Sequence, residues 1–280
     1  MHFLNFHGKM RGKGGGKMKI NDYVWETDKP FYKHELSHNL SKDVYSVHTH
    51  NSYELLYFVK GDATYVIEDR KYKLKEGDLI LIRPFLHHFV QIDSQTDYER
   101  YDILFDAKKH GVASALLLPE DVTIVNLAGN PIAADVFKRC DFYRKNTDEE
   151  TFFQILSHML SELFYALMLF HEGDVTEGDI VSPLLSRALA YINENLFTLR
   201  GTKEVAEHIF VSESYLCRIF KREMHMTPKR YILEKRLLSA EKMLSRGGRP
   251  TDVATACGFL DYTTFYRNYV GYFGRSPSEK

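Results

Sequence analysis

At 280 residues the chain exceeds what one small domain needs and can supply two domains with cores of their own. Its net charge of −1 hides a split: residues 183–280 carry 16 Lys and Arg against 10 Asp and Glu, and residues 1–182 carry 21 against 28. A basic final third suits phosphate contact, and the acidic remainder would be repelled by a polyanion.

The chain opens on a basic, Gly-rich stretch, residues 1–19, with no apolar run for a signal peptide or membrane span. A disordered tail is expected there. Gly15-Gly16-Lys17 ahead of Met18 is compatible with purine-rich codons resembling a ribosome-binding site, so translation is expected to start at Met18. Cys140, Cys217 and Cys257 are scattered and odd in number, which implies free thiols in a reducing cytoplasm.

Residues 44–105 read as short strands, at 53–59, 63–67, 79–82 and 88–92, separated by turns such as Gly61-Asp62 and Glu76-Gly77-Asp78. Such spacing predicts a small antiparallel barrel or jelly roll. Within it, His48-x-His50-x-x-x-Glu54 followed by Gly61 resembles the first cupin motif. The second motif is poorer: Gly77, Pro84 and His87 or His88 are present, but the Gly after the proline and the trailing Asn are not. The expectation is therefore that His48, His50, Glu54 and His88 line or plug a barrel mouth that takes a small polar ligand, or satisfy one another in its wall. Arg83 could clamp a carboxylate or sugar hydroxyls. No cofactor and no stoichiometric metal are expected, with His48, His50, Glu54 and His88 as the residual metal candidates.

Two helices should follow, at 132–145 and 149–170. The second carries an apolar stripe wider than one packing face requires, which points either to a subunit contact or to internal core. Residues 171–182, acidic and without periodicity, read as the linker after a first domain at 20–170.

The most informative stretch is residues 212–236. Ser212 suits a helix N-cap, Leu216, Ile219 and Phe220 form one apolar stripe, and Arg218, Lys221 and Arg222 lie on or beside the other face. Thr227-Pro228 restarts a helix. The pattern returns 49 positions later: Asp261 for Ser212, Phe265 for Leu216, Arg267 for Arg218, Tyr269 for Phe220 and Pro277 for Pro228. Residues 203–208 and 252–256, each centred on Val-Ala, precede the two caps. Two helix–turn–helix units joined by a helix over 228–245 are predicted.

On these residues, positions 184–277 resemble the DNA-binding domain of the AraC/XylS family, whose members join it to a cupin-like barrel. The resemblance implies an α+β multidomain chain: a cupin-like antiparallel barrel with flanking helices, then an all-α bipartite helix–turn–helix domain at 183–280. It implies a cytoplasmic transcription regulator, homodimeric, responsive to a small-molecule effector and bound to a double-stranded DNA operator, with RNA polymerase as a further partner if it activates. DNA contacts are expected from Ser212, Glu213, Ser214, Cys217, Arg218, Lys221 and Arg222 in the first unit, and from Tyr262, Thr263, Tyr266 and Arg267 in the second. Departures stand at His225, where a Gly often ends the first recognition helix, and at Val270-Gly271, which replace a Lys pair. The competing readings are a metal-dependent cupin enzyme with an accessory basic bundle and a DNA-binding protein without an effector.

Overall fold

The computed structural model describes residues 29–40, 43–120, 123–128, 130–169 and 176–279. The basic segment 1–19 and the start at Met18 lie outside the described residues. Strands β1 (Phe31–Leu40), β2 (Asp43–Val44), β3 (Tyr53–Lys60), β4 (Ala63–Ile67), β5 (Arg70–Lys73), β6 (Asp78–Ile82), β7 (His88–Ile92), β8 (Thr96–Phe105) and β9 (Ile124–Asn126) precede helices α1 (Pro131–Asn146) and α2 (Glu149–Leu167). A short β10 (Asp179–Ile180) leads into α3 (Pro183–Glu194), α4 (Thr202–His208), α5 (Glu213–Glu223), α6 (Pro228–Leu244), α7 (Pro250–Ala256) and α8 (Tyr262–Phe273).

The expected closed, cupin-like barrel does not form. The strands make two separate five-stranded sheets, β1-β8-β3-β6-β9 and β10-β5-β4-β7-β2, and among the described residues no ladder joins them. The domain is an open sandwich. Alternation and tight turns are common to sandwiches and barrels, and closure depends on edge strands pairing across the gap. Here two of the four edges, β2 and β10, are only two residues long. The α+β class and the helical C-terminal region stand.

Each sheet is covered on both faces, which explains why β3 and β6 read as nearly continuous apolar runs. Leu56, Phe58, Tyr65, Ile80 and Val90 fill the space between the sheets. Leu55, Leu81, Ile103 and Phe105 face outward from the first sheet onto Phe137, Phe152, Leu156 and Leu160 of α1 and α2. The wide stripe of α2 is thus packed within its own chain, with Met159, Leu163, Phe164 and Leu167 also buried. Val66 and Phe89 face outward from the second sheet and join Leu185, Ile192, Phe220 and Tyr231 of the C-terminal helices. Of the expected linker, residues 171–175 lie outside the described residues, and Asp179 and Ile180 pair with Lys71 and Arg70 of β5.

The C-terminal helices start where the caps predict. Ser212 accepts from the Tyr215 N–H at 3.2 Å, Asp261 from the Thr264 N–H at 2.7 Å, and Thr227 from the Arg230 N–H at 3.2 Å. Gly258 ends α7 in the left-handed region, φ 78°, and a Cβ there would lie 2.3 Å from the Phe197 carbonyl oxygen. Phe210 occupies the corresponding place after α4 at φ 61°, a conformation costing a non-glycine residue about 1–2 kcal/mol.

Helix α6, 17 residues, spans about 26 Å at 1.5 Å per residue. From it Arg236 donates to the carbonyls of Leu196 (2.8 Å), Leu199 (2.7 Å) and Gly258 (2.9 Å). One planar guanidinium therefore ties a loop of the first unit and a turn of the second to the same rod. Among the described residues no helix is long and apolar enough to cross a membrane.

Gly271 lies inside α8 with nothing within 4 Å of a Cβ built on it. Gly271→Ala is therefore expected to stabilise the chain by roughly 0.5–1 kcal/mol, seen as a higher midpoint in urea denaturation. An unchanged or lower midpoint would mean that helix propensity does not limit this segment.

Candidate functional site

Three features stand out, beginning with the helices α5 and α8. Ser212, Glu213, Ser214, Arg218, Lys221 and Arg222 are exposed and Cys217 is half-exposed, while Leu216, Ile219 and Phe220 are buried beneath them. On α8, Tyr262, Thr263, Tyr266 and Arg267 are exposed over buried Phe265 and Tyr269. Not all of these side chains are equally available. Glu213 is engaged by the Thr202 hydroxyl, and Arg222 pairs with Glu223 at 2.5 Å. The Arg218 guanidinium carbon sits 5.1 Å from the ring centroid of Tyr215, which the sequence reading had not singled out as a contact residue.

The second feature is a polar cluster inside the sandwich. His48, His50, Glu54 and His88 are each 7 % exposed or less. His48 and His88 pair across an isolated bridge between the segment before β3 and the start of β7. The Nε2 atoms of His50 and His88 lie 2.9 and 3.0 Å from the same Glu54 oxygen, Oε2. Tyr65 donates to the other, Oε1, at 3.1 Å. Burial alone would raise the Glu54 carboxyl, but its neighbours His88 and His50 hold it well below the usual range. Burial, then His88, push His48 down to about 3, so it is neutral at physiological pH.

The structure brings four of the five expected ligand residues together and leaves Arg83 apart. Arg83 follows Ile82 and donates to the Pro119 carbonyl, acting electrostatically on Tyr53. The reading also missed Arg100 and Asp102, both 2 % exposed in β8; Arg100 pairs with Glu35 at 2.9 Å. Their strand alternates Tyr98, Arg100 and Asp102 against Tyr101 and Ile103, so period-two charge inside an apolar strand was the available signal.

The third feature is the seam between sandwich and helical domain. Glu68, in the turn after β4, receives the Tyr231 hydroxyl at 2.6 Å and the Lys235 ammonium at 2.7 Å, both from α6. His87 lies 2.9 Å from Glu234, and its backbone N–H donates to Glu68 at 2.9 Å. Ser186 of α3 donates to Asp69 at 2.5 Å. Burial would raise the Glu68 carboxyl, but Lys235 and then His87 hold it well below the ordinary value. Burial would lower His87; its bonds to Glu234 and Glu68 outweigh that and raise it. The His225 ring meets Phe89 edge-on at 5.1 Å, which gives a side-chain role to the residue standing in place of glycine.

Beside the seam lies a cavity of about 470 Å³ lined from the sandwich by Asn51, Ser52, Phe85, Asp106, Lys109 and His110, and from α6 and the turn after it by Glu241, Lys242, Ser245 and Arg246.

Two family models match the chain: "AraC-like ligand binding domain" over residues 36–116 and "Helix-turn-helix domain" over residues 205–280. The raffinose operon transcriptional regulatory protein RafR of Pediococcus pentosaceus is 24 % identical over 81 % of this chain and 84 % of its own. The uncharacterized HTH-type transcriptional regulator YfiF of Bacillus subtilis is 25 % identical over 94 % of this chain and 88 % of its own. These matches support a DNA-binding transcription regulator of the AraC/XylS type. The relatives of this regulator are regulators and not catalysts, so the metal-dependent enzyme falls away. A crystal structure of ToxT from Vibrio cholerae O395, 12 % identical and covering 88 % of this chain and 95 % of ToxT, superposes only loosely, with a TM-score of 0.37.

The seam can be probed by a double-mutant cycle. Lys235→Met leaves the Glu68 carboxylate without its cation and is expected to lower stability by about 1–3 kcal/mol. Glu68→Gln with Lys235→Met should cost less than the sum of the single changes. Strict additivity in urea titrations would show that the pair is not coupled.

Proposed function

We propose that the regulator reads two neighbouring stretches of operator major groove with α5 and α8, and that a small polar effector, a sugar or related metabolite, acts through the cavity at the seam. The observation that carries the DNA reading is the pair of capped helices presenting exposed polar and cationic side chains from opposite ends of one rigid α6. Successive major-groove segments on one DNA face lie about 34 Å apart, a separation that a rod of about 26 Å and the width of two helices can span. Ser214, Cys217 and Arg218 stand near the start of α5, where side chains reach base edges; Lys221 and Arg222 stand near its end, where phosphate is the partner. Ser212 and Glu213 flank the first set, and Tyr262, Thr263, Tyr266 and Arg267 play the corresponding part on α8.

The effector reading rests on where the cavity lies. Its walls belong to both domains, so a molecule bound there has different affinities for different arrangements of α6 against the sandwich, which is what a ligand needs to shift an equilibrium. Hydroxyl groups would find Asn51, Asp106 and Lys109, and the Phe85 ring offers an apolar face. RafR is named for a raffinose operon, and a sugar is accordingly the class we put forward. The four residues of the sandwich cluster sit behind this cavity: the Ser52 carbonyl, at its wall, holds His50 Nδ1 at 2.9 Å. Homodimerisation is part of the proposal, with Phe142 of α1 and Tyr165 of α2, 61 % and 56 % exposed, as apolar groups a partner would cover.

Binding titrations against the cognate operator and a scrambled duplex at two salt concentrations test the DNA reading. Arg218→Ala should weaken specific binding roughly ten- to a hundredfold, the equivalent of about 1–3 kcal/mol, and relax preference in one half-site. Arg267→Ala should cost less, because α8 carries Gly271 and no Lys pair. Lys221→Ala should weaken both duplexes alike and reduce the salt slope by about one. Equal losses on both duplexes for Arg218→Ala would remove it from base readout.

Melting of the full chain across a panel that includes raffinose and melibiose tests the effector. A ligand at a hundred times its Kd should stabilise by about 2.7 kcal/mol, and Lys109→Ala or Lys242→Ala should abolish the shift. A shift untouched by both variants would move the effector away from the seam.

A further inference from the structure

The cluster inside the sandwich poses a problem of protons. His48 Nδ1 lies 3.0 Å from the Ser46 carbonyl, His50 Nδ1 2.9 Å from that of Ser52, and His88 Nδ1 2.8 Å from that of Leu86. A carbonyl oxygen only accepts, so all three Nδ1 atoms carry hydrogen. In the neutral ring each Nε2 is then a bare lone pair. Two of these lone pairs face one oxygen of an ionised carboxylate at 2.9 and 3.0 Å, in a site where His50, Glu54 and His88 are at most 1 % exposed. Acceptors facing an acceptor at that range, out of water, require positive charge between them.

We infer that His48, His50, Glu54 and His88 form a binding site for one divalent transition-metal ion, of which Zn²⁺ is the simplest occupant. The inference runs against the expectation drawn from the altered second motif, and it is independent of the effector and the DNA readings. The four side chains each offer one donor atom, and these donors lie within 4.8 Å of one another. Around a tetrahedral ion with bonds of about 2.0–2.1 Å the donors stand roughly 3.4 Å apart, so the widest pair closes by roughly 1.4 Å and the two pairs at 2.9 and 3.0 Å open slightly. Three imidazoles and one carboxylate select zinc, nickel, iron or copper over magnesium and calcium, which want oxygen. The backbone carbonyls behind each Nδ1 are the outer partners that metal-ligating histidines use to fix tautomer and orientation. Tyr65 does the same for Glu54 by taking its second oxygen. The alternative source of charge is protons alone, with two imidazolium rings on one carboxylate.

The test uses the full chain, stripped with a chelator and titrated with Zn²⁺ and with Co²⁺. One equivalent should bind per chain, raise the melting midpoint, and with Co²⁺ give the visible absorption of a low-coordinate nitrogen–oxygen site. His50→Ala and His88→Ala should each weaken binding by more than the roughly ten- to hundredfold that loss of an outer partner costs. His34→Ala, a histidine in β1 that bonds Asp141 and Glu99, should leave binding unchanged. Glu54→Gln nearly keeps the side chain's shape and guards against variants that fail to fold; it too should lose the ion while far-UV circular dichroism stays native. Absence of Zn²⁺ binding at 100-fold molar excess, or one equivalent that survives all three cluster variants, would overturn the proposal and leave the proton pair.

Discussion

Glu68 is the residue on which the two domains agree. It leaves the second sheet in the turn after β4, at φ 51°, and carries its charge to α6, where the Tyr231 hydroxyl and the Lys235 ammonium close on it. An anion placed there without those partners would carry much of its desolvation cost uncompensated. With them, α6 is fixed in rotation and in height against the sandwich. Because α6 is also the rod between α5 and α8, whatever sets its position sets how both of these helices are presented.

The backbone around this contact is strained in a patterned way. Of the five non-glycine residues with positive φ among the described residues, Glu68, Phe85 and His225 all belong to the seam. Glu68 pairs with Lys235, the Phe85 carbonyl accepts from the same ammonium at 3.3 Å, and His225 packs on Phe89. A left-handed non-glycine residue costs about 1–2 kcal/mol, and such strain persists only where the surroundings over-determine it. At this seam the docked arrangement supplies the compensating contacts, so loosening α6 would release strain as well as lose bonds.

The sandwich serves three neighbours because both its sheets are covered on both faces. The first sheet gives its outer face to α1 and α2, the second gives Val66 and Phe89 to the first helix–turn–helix unit, and the interior holds the histidine cluster. Neighbouring residues of β7 therefore report to different places. His88 faces the interior and Phe89 faces the helical domain, while His87, just before the strand, reaches Glu234. A displacement of this strand is felt on both sides at once, which links the interior to α6 by ordinary packing.

The helical domain was legible in the sequence because its signals are local. Ser212, Thr227 and Asp261 cap within three residues, apolar positions recur within a helical turn, and Pro228 needs no partner to act. The repeat at 49 positions then doubled the evidence. In the sandwich the sequence placed four strands, since the period of two is also local, and the resemblance to a cupin motif singled out His48, His50, Glu54 and His88. What it left open was decided by contacts far apart in the chain. Whether the sheets close depends on edge strands of two residues; which of His87 and His88 faces inward depends on a one-residue parity set by pairing with β4; and the wide stripe of α2 meets its own sheet. Folding also brought three carbonyls from two loops to Arg236 and brought α6 to Glu68. Short-range propensity determined the elements of this protein, and long-range burial of polar groups, each needing a particular partner, decided how they meet.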